Sequence, residues 1–323
     1  MAAYTGIQGQ NILIVSSDPA NPTEGQIWYN STTNLLKDYQ YFVTNAWASG
    51  GNLGTGRYRM AGVGSQTNAL VFGGAGAFPP TYSTGATESY DGSSWTAVAS
   101  LNNTANRRGV GGAGTQTTAL AFGGKAPASG ATEKWNGSAW TNNPTGLNTV
   151  RGMMGTAGTQ TAALGFGGYT DSPSTVNSNA TESFNGSTWT ILANYPSGIR
   201  DLGGVGTQTA ALGFGGYISS PTNQTSSWNG SSWTNVNSLN TSRQAVAGIG
   251  IQTAALAVSG PSSESWNGTS WSSITSTANN LSSRAPAGTQ TSGLVAGGSS
   301  PYSPGATEEW TGAALAVRTI TSS

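Results

Sequence analysis

Gly158-Thr-Gln-Thr-Ala-Ala-Leu-Gly-Phe-Gly-Gly168 returns unchanged 48 residues later as Gly206-Thr-Gln-Thr-Ala-Ala-Leu-Gly-Phe-Gly-Gly216. The tetrad Gly-x-Gln-Thr occurs six times, with its glutamine at Gln66, Gln116, Gln160, Gln208, Gln252 and Gln290, at intervals of 50, 44, 48, 44 and 38 residues. Self-similarity at that period marks a chain built from one supersecondary unit, and the length suits four short strands.

Outward from the tetrad, each copy has the same parts. A short apolar run closes in small residues, as in Ala69-Leu-Val-Phe-Gly-Gly74 and Ala119-Leu-Ala-Phe-Gly-Gly124. After a variable segment comes a second strand with a glutamate (Glu88, Glu133, Glu182, Glu264, Glu308; Ser226 in the fourth copy) and then an aromatic residue. Asp-Gly or Asn-Gly follows in five copies, a dipeptide suited to the positive φ of tight hairpin turns. Trp95, Trp140, Trp189, Trp233 or Trp271 opens the next strand, and an arginine precedes the next tetrad: Arg57, Arg107 or Arg108, Arg151, Arg200, Arg243 and Arg284. Charges that recur copy after copy are expected to be structural, because one active site needs one set of residues. The arginines Arg108, Arg151, Arg200, Arg243 and Arg284, the five glutamates and the five tryptophans are therefore read as structural.

The order of arginine, glycine pair, aromatic and tryptophan resembles the kelch repeat over residues 54 to 320. It departs from that pattern in its five-residue aromatic-to-Trp spacing and in a Gln-Thr present in every copy. The resemblance implies an all-β fold, a six-bladed kelch-like β-propeller over residues 51–323 preceded by a small N-terminal β module over residues 1–50. Either Trp47 or the C-terminal stretch Ala313 to Ile320 could supply the last outer strand, and the sequence leaves that open.

Composition narrows the function. The 323 residues carry 12 basic and 12 acidic side chains, with no cysteine and no histidine. Disulfides, thiolate metal sites, Ser-His-Asp triads and His-based zinc or copper sites are excluded. No basic cluster provides an electrostatic footprint for nucleic acid, and no apolar stretch is long enough to span a bilayer. Neither a signal peptide nor a lipidation motif is evident, so release by host lysis is the expected route out of a cell. No Asp-rich loop suggests calcium. Ser89-Tyr90-Asp91-Gly92-Ser93-Ser94-Trp95 approaches a sialidase Asp-box but lacks a residue between Asp and Gly, and no acid pair stands out for glycoside hydrolysis. The expectation is a protein that is not an enzyme and takes no metal or cofactor.

Within the first fifty residues, Asp18-Pro-Ala-Asn-Pro-Thr-Glu-Gly25 reads as a turn. Gln26-Ile-Trp-Tyr-Asn30 and Leu35-Leu-Lys-Asp-Tyr-Gln-Tyr-Phe42 read as strands, leading to Ala46-Trp47. The pattern Asp-Pro, Glu-Gly-x-Ile-Trp-Tyr-Asn, Leu-Lys and Ala-Trp resembles a small β module of tailed-phage virion proteins. With Gly-Phe-Gly-Gly repeats behind it, the whole is similar to tail-fibre or other surface proteins of marine phages. That implies a place on the virion surface, contact with other virion proteins through the module, and homo-oligomers on the particle.

The loops after the glycine pairs differ in length and content, and recognition concentrates in variable loops on a rigid frame. Phe78, Tyr82, Tyr169, Asp171, Tyr217 and Tyr302 are the candidate ligand-binding residues, on the face opposite the tetrads. A host-surface glycan or protein is the expected partner. Sugar is favoured because aromatic rings cover sugar faces at small entropic cost and the low charge argues against anionic partners. A purely structural virion decoration or spacer, and a free carbohydrate-binding lectin, are the competing functions.

Overall fold

Each tetrad caps a hairpin between two antiparallel strands. The computed structural model describes residues 12–42, 45–76, 83–103, 107–125, 128–171, 176–299 and 304–320, and their regular structure is all strand. In the third copy the strands are Gly155–Gly158, Ala163–Phe166, Thr181–Phe184 and Trp189–Ile191, paired antiparallel in that order. The tetrad glycine is required at the turn. Gly158 has φ 102°, and a Cβ there would lie 2.1 Å from the Ala162 carbonyl oxygen.

Six such four-stranded sheets form one compact unit, Ala46–Trp310. First strands lie beside one another in order, and Ala285–Gly288 lies beside Ala61–Gly64, so the series returns to its start. This is a propeller-like all-β arrangement. First strands are glycine-rich because they crowd together: a Cβ on Gly204 would come within 2.4 Å of the Thr156 nitrogen. Second strands such as Ala163–Phe166 are buried at all four residues, which accounts for their continuous apolar run.

Two repeated contacts join neighbouring sheets. Each tetrad glutamine donates to main-chain carbonyls of the preceding sheet: Gln160 Nε2 to Ala119 O (2.9 Å) and Trp135 O (2.5 Å), and Gln66 Nε2 to Gly293 O (3.1 Å) and Trp310 O (2.9 Å). Trp95, Trp140, Trp189, Trp233 and Trp271 each donate the indole N–H to a threonine hydroxyl of the preceding sheet, as Trp189 does to Thr132 (2.9 Å) and Trp95 to Thr307 (3.0 Å). Four of these indoles, Trp140, Trp189, Trp233 and Trp271, pack on the preceding sheet's phenylalanine, with Phe122 and Trp189 ring centres 4.8 Å apart. Trp140, Trp189 and Trp271 are buried, whereas Trp95 and Trp233 are half-buried.

The sixth sheet takes its fourth strand from the other end of the sequence. Its order is Ala285–Gly288, Ser292–Ala296, Thr307–Thr311, Ala46–Gly50. Trp47 stands 5.3 Å from Trp310, as Trp233 does from Trp228. The match is imperfect. Trp47 donates to the Thr275 carbonyl (3.1 Å), and the buried Ser263 hydroxyl, which occupies the threonine position of the other copies, has no partner among the described residues.

Residues 1–45 and 311–323 make the second unit. The division therefore falls at 45/46 and 310/311 rather than at 50/51, because 46–50 complete the sixth sheet. Ala314–Thr319 pairs antiparallel with Leu35–Phe42, so the C-terminal strand closes this smaller sheet and not the ring. Leu35–Phe42 also pairs with Ile27–Asn30, which in turn takes Leu13–Val15 in parallel. Asp18 holds the unit's polar side together. Its carboxylate accepts from Trp28 Nε1 (3.1 Å), Asn30 Nδ2 (2.8 Å) and Lys37 Nζ (2.6 Å), which gives the Asp, Trp-x-Asn and Leu-Lys of the motif one physical purpose.

Two outcomes are expected. Trp189→Ala should cost roughly 3–5 kcal/mol in denaturant unfolding, as for other large buried aromatics. The bonds from Lys37, Asn30 and Trp28 hold the Asp18 carboxyl at about 2, below its ordinary value of 3.8. A depressed carboxyl contributes stability above its unfolded pKa and loses it as pH falls through the folded one. The Trp28 indole N–H resonance should thus shift between about pH 4 and pH 2, and Asp18→Asn should abolish that shift.

Candidate functional site

Counting back from each tetrad glutamine separates three kinds of position by where they point. The ninth residue back is Arg57, Arg107, Arg151, Ile199, Arg243 or Leu281. Its main-chain carbonyl accepts from the second glycine of the preceding sheet's pair, as Arg151 does from Gly124 (3.1 Å) and Arg57 from Gly298 (2.8 Å). Its side chain turns inward. Arg57 meets Glu88 at 2.7 Å, and Arg107, Arg151 and Arg243 pair with Glu133, Glu182 and Glu264. Arg284, three residues later in its copy, reaches Glu308 at 2.5 Å. Each carboxylate also binds main-chain amides of the incoming loop, for example Asn148 N (2.7 Å) and Thr149 N (3.1 Å) on Glu182.

The fourth copy keeps the shape without the charges. Ser226 replaces the glutamate, Ile199 replaces the arginine, and all are buried. Tyr195 Oη donates to Gly213 O (3.2 Å), the carbonyl equivalent to the Gly165 O that Arg151 engages at 3.2 Å. An arginine here would have been an uncompensated buried charge.

Two residues read as members of this set are not in it. Arg108 and Arg200 stand eight residues before their glutamines, and a one-residue shift in an extended segment turns the side chain to the other side. Arg107 is the buried partner of Glu133, and Arg200 has no glutamate in its copy. Both lie instead on the end of the sheets opposite the tetrads, where the eighth residue back forms a bridge with a residue just past the glycine pair. These bridges include Arg108 with Lys125, Gly152 with Tyr169, Arg200 with Tyr217, and Ser282 with Ser299.

This end is chemically lopsided. Arg200 lies 4.7 Å from the Tyr169 ring centre and 4.3 Å from that of Tyr217, and Lys125 Nζ lies 3.9 Å from Tyr169. Lys125 pairs with Asp171, whose other oxygen accepts from Ala128 N at 2.7 Å. Asn177 Oδ1 accepts from Arg200 (2.8 Å). Of the candidate binding residues, Tyr169, Asp171 and Tyr217 thus come together, all half-buried. Phe78, Tyr82 and Tyr302 lie outside the described residues. Tyr169 and Tyr217 are engaged by cations, so they present edges and charged neighbours more than bare ring faces for a sugar.

The seventh residue back was not anticipated. Arg59, Gly109, Met153, Asp201, Ala245 and Ser283 all have left-handed backbone, φ between 54° and 64°. Their main chains hydrogen-bond from copy to copy, Met153 N to Gly109 O (2.7 Å) and Arg59 N to Ser283 O (2.9 Å) among them. They surround a cavity of about 90 Å³ floored by Met60, Val110, Met154, Leu202 and Val246. Arg59 meets Asp201 across it at 3.3 Å, and Arg200 Nε lies 3.6 Å from the same carboxylate. Burial pushes the Asp201 carboxyl above its ordinary value, while Arg59, Arg200 and Arg108 pull it back. Alignment on the tetrads exposes this signal, since charged residues appear at that position in only two copies.

The opposite end is uniform. Asn136, Asn185, Asn229, Asn267 and Asp91 each bond the amides two and three residues on, and each following glycine packs against a tetrad threonine. Among the described residues no cluster of three acidic side chains could hold a metal ion.

Glu182→Gln should leave Arg151 buried and unpaired, costing roughly 3–5 kcal/mol. Arg151→Ile with Glu182→Ser, imitating the fourth copy, should cost less than Glu182→Gln alone in the same urea titration. No family model matches the chain, and no curated protein matches it.

Proposed function

We propose that the chain is a six-bladed kelch-like β-propeller with an N-terminal β module, carried on the surface of a tailed-phage virion, and that it binds a host-surface receptor. The glycine-pair end of the sheets is the binding face and glycan is the favoured receptor. The observation that carries this reading is the contrast between the two ends of the sheets. One repeats the same turns, charged only at Asp91 among them, while the other gathers Arg59, Arg108, Lys125, Arg200, Tyr169 and Tyr217 against two aspartates. Recognition of one ligand needs asymmetry, and a frame of rigid sheets holds these side chains ready at small entropic cost.

The chemistry favours binding over catalysis. Asp171 and Asp201 are each held by cations, an arrangement suited to fixing a partner's polar groups and unsuited to proton transfer by a free carboxyl. Attachment to the particle falls to the N-terminal module. Its resemblance to phage virion modules supports this, as do Leu13, Ile14 and Val317, exposed at 48%, 71% and 40%. Apolar side chains left in water on a small sheet suit contact with other virion subunits or further copies of the chain.

Antibody against the chain should label purified phage particles, and the recombinant protein should bind cells of the propagating host. Tyr169→Ala combined with Tyr217→Ala should reduce that binding by about tenfold or more, ~1.4 kcal/mol, with unchanged melting. If particles carry the chain but the double variant binds as wild type, the role is architectural. If particles lack it, the virion reading fails.

A further inference from the structure

We infer that the cavity ringed by the left-handed residues is a site for one oxyanion group, the carboxylate or sulfate of an acidic sugar, so that the receptor is an acidic glycan. This rests on the proposal that the glycine-pair end is the binding face, and it reverses the expectation from low overall charge.

Charge placement makes the case. Setting aside the five buried ion pairs, the six-sheet unit has five cations, Arg59, Arg108, Lys125, Lys134 and Arg200, and four anions, Asp91, Asp171, Asp201 and Glu309. Asp171 is paired with Lys125. That leaves the single carboxylate of Asp201 with Arg59 at 3.3 Å and Arg200 at 3.6 Å, from two different sheets, and with the charge of Arg108, from a third, also acting on it. A neutral chain thus concentrates an excess of positive charge around Asp201, which lines the cavity with Arg59.

The donors are also under-used. Arg59 makes one side-chain hydrogen bond, to Asp201, and its buried Nε has no acceptor among the described residues. The buried Nε of Arg108 likewise has none, and no side-chain hydrogen bond of Arg108 is found among those residues. Arg151 and Arg284 also leave Nε unpaired, but both terminal nitrogens of each are bonded within the protein. Guanidinium is the side chain best matched to a planar or tetrahedral oxyanion. An apolar floor strengthens each charge–charge term relative to water. Sugar hydroxyls and ring would extend outward over Tyr217 and Asn177, beside Arg200.

The groups facing the anion carry a charge test that a merely structural network would not pass. Arg108→Gln removes attraction and no side-chain hydrogen bond among the described residues. Asp201→Asn removes the competing negative charge, and asparagine tolerates the left-handed backbone (φ 54° at this position). The two variants should move anion affinity in opposite directions.

Calorimetry on the full chain would use trigalacturonate, its carboxyl-reduced neutral counterpart, a sulfated galactose trisaccharide and inorganic sulfate. The inference expects at least one acidic trisaccharide to bind about tenfold or more tighter than the neutral one, ~1.4 kcal/mol. Arg108→Gln should weaken it by a similar factor, Asp201→Asn should strengthen it, and added salt should weaken it. Carboxylate and sulfate arms identify which acid is read. Inorganic sulfate binding with the same opposed variant effects, but no acidic sugar binding, would sustain the anion pocket while sinking the glycan reading. Equal binding of acidic and neutral sugars, unmoved by either variant, would overturn the anion pocket while leaving a glycan-binding face. Binding of no anion at all would also overturn it.

Discussion

Everything in the larger unit depends on the glutamine side chain that crosses from each sheet to the main chain of the one before it. Short four-residue strands bury little by themselves, and a ring of separate sheets must gain its cohesion between sheets. Gln66, Gln116, Gln160, Gln208, Gln252 and Gln290 each donate to the carbonyl of the preceding third strand's aromatic residue. Those carbonyls would otherwise be part-buried without a partner, a penalty of about 1–3 kcal/mol each. The amide is neutral, so no ion is desolvated by repeating it six times. Chemical identity at this position is therefore demanded in every copy, which is why the tetrad is the best-kept part of the sequence.

Arginine and glutamate solve a second problem, that of the loop entering each sheet. The buried carboxylate collects main-chain amides that have no strand to pair with, and the guanidinium neutralises it while satisfying carbonyls near the glycine pair. Buried ion pairs add little net stability over well-packed neutral groups, and the fourth copy illustrates the equivalence. Ile199, Ser226 and Tyr195 replace the pair together, and Tyr195 takes over the carbonyl contact. Losing one charge alone would be costly, and losing both is tolerated.

Because these duties consume the repeated polar groups, the remaining charges are free to differ from copy to copy. They accumulate where the loops already differ, at the glycine-pair end and around the left-handed ring. Backbone held at positive φ by non-glycine residues in five of six copies is an unusual expense. It is maintained by hydrogen bonds running from copy to copy, and it directs the seventh-residue side chains to one cavity.

The repeat, its four strands, the hairpin turns and the alternation of arginine and glutamate were legible in the sequence because each is a local rule. Gly-x-Gln-Thr and Asn-Gly specify turns through backbone conformation, apolar runs specify buried strands, and a recurring motif reports itself. The place of Tyr169 and Tyr217 at the end opposite the tetrads also followed from their position after the glycine pair. Three things were decided only by tertiary structure. Which strand completes the sixth sheet depended on pairing between residues 46–50 and 307–311, far apart in sequence. Whether Arg107 or Arg108 is buried depended on a single-residue register that spacing between degenerate repeats could not resolve. The approach of Arg59 and Arg108 to the adjacent Arg200 and Asp201 depended on cyclic closure, since Arg59 and Asp201 are 142 positions apart and meet only because sheets from different copies share one axis.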